Sequence, residues 1–124
     1  MIIEQIQNIV PKKIKNFKKL NGGNATYKYT DWSDDKLKFY YEFNSKDGTK
    51  KNVKRVFVKE IETLLKGRKV NNVISRGDFE KHCINTNRDG GCGFCVIIRL
   101  LEFLKIGIYL GHGKGFKIIK TGNI

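Results

Sequence analysis

The chain is poor in proline, in acidic residues and in long apolar runs, and each shortage removes a class of protein. One proline in 124 residues, with no Ser-, Gln- or Pro-rich tract, excludes a low-complexity linker or a polyproline ligand. No uninterrupted apolar stretch is long enough to cross a bilayer, so no membrane partner is expected. The opening Met-Ile-Ile-Glu-Gln lacks the pattern of a secretory leader, which predicts a cytoplasmic protein with reduced thiols. Histidine is scarce too, at two residues, and no Ser-His-Asp pattern runs through them. Acid–base catalysis therefore has no candidate here, and the chain is not expected to be an enzyme.

What is present is positive charge. Lys and Arg number 25 against 12 Asp and Glu, a formal net charge of +13. The excess is spread along the chain: 14 basic and 8 acidic residues up to position 62, then 11 and 4. A folded surface of this sign attracts polyanions by releasing their counterions. Eight Phe, five Tyr and one Trp provide the large side chains of a folded core. The length suits a single domain over residues 1–124, with no linker to divide it.

The patterning predicts an α+β fold: N-terminal helix, small antiparallel sheet, then a second helical unit. Ile2, Ile3, Ile6, Ile9 and Val10 have helical spacing. Pro11 suits the first turn of another helix carrying Ile14, Phe17 and Leu20, and Asn-Gly-Gly-Asn at 21–24 stops it. Runs at 25–32, 36–43 and 49–58 alternate and are rich in Thr and aromatics, with polar turns between them. They read as a three-stranded meander. Residues 1–56 thus make helix plus meander.

From residue 57 the order changes to helix 57–66, strand 69–74, helix 76–84, turn 85–91, helix 92–104 and hairpin 106–120. Ser75 with Asp78 three residues on reads as a capping box for the second of these helices. This order of elements resembles the winged helix–turn–helix domain over roughly residues 57–120, within a unit that takes in residues 57–124. The resemblance implies that helix 92–104 takes the recognition position, that Gly111–Gly115 is the wing tip, and that the partner is nucleic acid, double-stranded DNA.

The residues support a phosphate site on their own chemistry. A helix start gathers free N–H groups, and Gly91 and Gly93 there admit a close backbone. Arg76, Lys81, Arg88, His112, Lys114 and Lys117 supply the expected cationic and hydrogen-bonding contacts. The expected role is a non-catalytic regulator or accessory factor, for instance in transcription. Helix 92–104 is apolar over most of its circumference, which argues against base readout along it. That surface is expected to pack on the N-terminal sheet or to form a homodimer interface.

Four alternatives compete. Cys92 and Cys95 form C-G-F-C at a helix start, and with His82 and Cys83 they offer four zinc-ligand types. Buried free thiols acting as small apolar groups are the expected state, with no metal and no cofactor. Asp31, Asp34, Asp35 and Glu42 near Lys36 and Lys38 would suit a metal-dependent nuclease, but a solvated turn explains them. Tyr27, Tyr29, Trp32, Phe39, Tyr40, Tyr41 and Phe43 could stack single-stranded bases if exposed. The main alternative function is an inhibitor or adaptor that binds an acidic protein.

Overall fold

The computed structural model describes residues 2–23, 25–45 and 47–121. Asn24 of the expected turn at 21–24 and Lys46 of the turn after residue 43 lie outside the described residues, as do Met1 and residues 122–124. The fold is α+β. In order it comprises α1 (Ile2–Ile9), β1 (Asn16–Lys18), β2 (Thr26–Trp32), β3 (Lys38–Asn44), β4 (Lys51–Phe57), α2 (Val58–Leu65), β5 (Val73–Ile74), α3 (Arg76–His82), α4 (Ile84–Asp89), α5 (Gly93–Phe103), β6 (Gly107–Tyr109) and β7 (Phe116–Ile118).

Two antiparallel sheets result. The first is a four-stranded meander in the order β1-β2-β3-β4, and the second is a small sheet in the order β5-β7-β6. The expected second helix, from Pro11 to Leu20, does not form. Its central residues are the short edge strand β1, in which buried Phe17 faces Tyr27 between exposed Asn16 and Lys18. Three residues of alternation are too few to separate a strand from a helical face in sequence. Phe17 then stacks on Phe39 at 5.9 Å, which a helix would not position in this register.

The expected turn at 85–91 contains the short helix α4 instead. Its first turn is capped from a distance. The Glu60 carboxylate accepts the backbone N–H groups of Asn85 (2.9 Å) and Thr86 (2.8 Å), and the Thr86 hydroxyl at 2.7 Å. These would otherwise be orphan donors of a helix start. Helix α3 is capped locally: Ser75 Oγ accepts from Asp78 N, and Asp78 Oδ2 accepts from Ser75 N.

Helix α5 is the axis of the molecule. Eight of its eleven residues are buried, from Gly93 through Leu101. It packs against β1 and β4 of the meander and against β6 of the small sheet. An all-round apolar helix is stable only when enclosed. Its one basic residue, Arg99, donates to the carbonyls of Lys18 (2.7 Å) and Lys19 (3.1 Å) and pairs with Glu102. Among the described residues, no helix is long and apolar enough to cross a membrane.

Candidate functional site

The residue that organises the site is Cys92, which precedes α5 directly. Of the three free thiols, Cys83 and Cys95 are buried and Cys92 is half-buried. Cys83 donates to the Glu60 carbonyl and Cys95 to the Lys18 carbonyl. Burial, then the charge of Glu60, pushes the Cys83 thiol up to about 12, and burial takes Cys95 to about 11. Both stay protonated near neutrality and are chemically quiet. Cys92 Sγ instead lies 3.1 Å from the hydroxyl of Tyr41.

Tyr41 sits on β3, fully buried, with its hydroxyl at the residue that precedes α5. Burial, and next the contact with Cys92, pushes its phenol well above the usual tyrosine range. It therefore remains a hydrogen-bond donor at any working pH. Tyr27 on β2 meets the Tyr41 ring edge-on at 5.7 Å. Its phenol rises to about 12 through burial, with Cys92 and Cys95 adding to the effect and Arg76 opposing it.

Above these residues opens a cavity of about 890 Å³. The meander contributes Tyr27, and the segment after β1 contributes Lys19. Arg76 comes from the start of α3, Gly91 and Cys92 from the start of α5, and His112 from the β6–β7 hairpin. Arg76 is held in place: it donates to the Gly91 carbonyl at 2.8 Å, and its guanidinium lies 5.2 Å from the centre of the Phe94 ring. The hairpin reaches the cavity through Gly115, whose φ of +82° is open only to glycine-like backbones and which packs against the Ile74 carbonyl.

The cavity thus brings together three of the eight expected contact residues: Arg76, Gly91 and His112. Gly93 is buried beneath it, and a Cβ there would stand 2.5 Å from the Thr86 methyl. That glycine is needed for helix packing. Lys81 on α3, Arg88 on α4 and Lys114 in the hairpin are exposed outside the cavity wall. Lys117 is half-buried on the outer face of the small sheet, in register between Val73 and Ile108.

The competing sequence readings can be placed as well. Among the described residues, no group of three or more His, Cys, Asp or Glu side chains could hold a metal ion, so His82, Cys83, Cys92 and Cys95 are not gathered. Asp35 accepts from Ser33 Oγ (2.6 Å) and Leu37 N (3.0 Å) in a turn, while Glu42 faces Lys51 at 3.6 Å. Most of these aromatics face inward. Tyr27 and Tyr41 are buried against each other and Phe43, and buried Phe39 packs on Tyr29 and Trp32, while half-buried Tyr40 alternates to the other face of β3. Sequence reasoning did not foresee the roles of Tyr41, Tyr27 and Lys19. Compared with known proteins, the chain finds no match among family models, curated proteins or solved structures.

Proposed function

We propose that this chain binds nucleic acid, as double-stranded DNA, mainly through phosphate contacts. The observation that carries the reading is the β6–β7 hairpin. Lys105, Lys114 and Lys120 are exposed along residues 103–121, which contain no acidic residue, and His112 at the tip lines the same cavity as Arg76. The net charge of +13 supplies the long-range attraction. The β5-β7-β6 order with Gly111–Gly115 at the hairpin tip supports the winged-helix reading. The enclosure of α5 speaks for backbone contacts and against groove reading along that helix. A salt titration against duplex and single-stranded DNA tests this. Duplex affinity should fall steeply with salt, and Lys114→Ala should lower the log–log slope by about one unit. A slope that Lys114→Ala leaves unchanged refutes the hairpin contact.

One feature favours a second reading, an adaptor that binds an acidic protein segment. Val73 (44% exposed), Lys117 and Ile108 (48% exposed) form a row across the outer face of the small sheet, and Leu110 and Ile119 extend it. An apolar face with a central lysine and cationic surroundings complements an amphipathic acidic strand or helix. In that case Ile108→Lys would abolish binding to the protein partner and leave DNA affinity unharmed.

A further inference from the structure

Three basic side chains and no acidic one stand among the described residues of the cavity wall: Lys19, Arg76 and His112. Two of them flank one ring. Lys19 Nζ lies 5.5 Å from the centre of the Tyr27 ring, and the charge of Arg76 acts on the same phenol. Among the described residues, Arg55, Arg68 and Arg99 each pair with a carboxylate, whereas no carboxylate pairs with Arg76 or Lys19. Arg76 is fixed all the same. It donates to the Gly91 carbonyl at 2.8 Å, and its guanidinium carbon lies 5.8 Å and 5.2 Å from the ring centres of Phe79 and Phe94. Its remaining N–H groups are left for a ligand, and a side chain already ordered loses little freedom on binding one. A planar guanidinium fork matches the oxygens of a phosphate. Leu20, Phe94 and Tyr109 give this half-open cleft apolar walls, and its volume of about 890 Å³ is that of a small-molecule site.

We propose that the cleft binds a nucleoside 5′-monophosphate, with Arg76 and Lys19 on the phosphate and the Phe94–Tyr109 wall against the base. The charge count selects the monoester. Its phosphate carries close to two negative charges at neutral pH, where each internal phosphate of a DNA strand carries one. Two cations that no carboxylate neutralises favour the dianion. Aromatic side chains and guanidinium planes are the surfaces on which a nucleobase stacks. The ligand is either a free nucleotide or the phosphorylated 5′ end of a strand, since both present the same group. This site stands apart from the duplex contacts proposed above, because Lys114 of the hairpin lies outside the cavity wall.

Calorimetric titration of the full chain with dAMP, deoxyadenosine and inorganic phosphate tests the site. One dAMP should bind per chain, about tenfold more tightly than either fragment; a margin below about threefold overturns the proposal. Arg76→Gln and Lys19→Gln should each weaken dAMP about tenfold while the circular dichroism stays that of the parent. Should Arg76→Gln fail to fold, the half-buried Lys19 decides alone, and a Lys19→Gln chain within about twofold of the parent overturns the proposal. Lys114→Ala should leave dAMP affinity unchanged, so that this site and the duplex contact fail separately. A loss there equal to that of Lys19→Gln would mean diffuse charge attraction and overturn the site. Half-buried Cys92 reports the place of binding, because it lines the same wall. Saturating dAMP should slow its alkylation by iodoacetamide, read by peptide mapping, and deoxyadenosine should not; an unaltered rate puts the nucleotide elsewhere and overturns the proposal. A short 5′-phosphorylated strand that binds more tightly than dAMP assigns the site to a strand end, and one that binds less tightly assigns it to the free nucleotide.

Discussion

Glu60 shows how one carboxylate can decide a local structure from a distance. It accepts two backbone N–H groups and a hydroxyl from the first turn of α4, which has no cap of its own. Glu60→Ala leaves those donors unpaired and should lower stability by about 2 kcal/mol, measured by urea unfolding at neutral pH. The same comparison explains what the sequence tells at this scale. The Ser75–Asp78 capping box is legible because both partners lie within three residues. Glu60 and Thr86 are separated by 26 positions and Tyr41 and Cys92 by 51, so no spacing rule links them. Cys92 carried a signal, a thiol after Gly-Gly at a helix start, but only the fold distinguishes it from the buried Cys83 and Cys95.

Elements of seven residues or more follow their periodicity, whereas the shorter β1 and α4 follow their neighbours. The three long strands of the meander and helices α2, α3 and α5 lie within about two residues of where the apolar pattern puts them. β1 and α4 do not, because each owes its form to a partner: β1 to the open edge of β2 and to Arg99, α4 to Glu60. The β6–β7 hairpin is fixed by glycine geometry. At Gly115 a positive φ coincides with a Cβ position 2.6 Å from the Ile74 carbonyl. Gly115→Ala is therefore both strained and obstructed. It should cost about 3 kcal/mol in a thermal or urea melt. It should also detach the hairpin from β5, seen as faster hydrogen exchange at Lys117 and Ile118.

Across the whole molecule, some of the few acidic residues tie elements together. Asp89 at the end of α4 accepts the Arg55 backbone N–H at 2.6 Å and its guanidinium at 3.0 Å, tying α4 to β4. Burial opposes ionisation of Asp89, but these two bonds outweigh it and keep the carboxyl below its usual range. A depressed folded-state pKa means that the contribution is complete above the unfolded carboxyl value. It disappears as pH drops through the folded one. Asp89→Asn should thus cost about 1 kcal/mol near neutrality, with Arg55 partly exposed and solvent weakening the pair. The gap between variant and parent should close as pH falls below about 4, which urea unfolding at a series of pH values would follow. The enclosure of α5 also bears on dissection of the chain. This helix packs on both the meander and the small sheet. A cut near residue 57 would divide the core between two fragments, and neither fragment alone should show a cooperative unfolding transition.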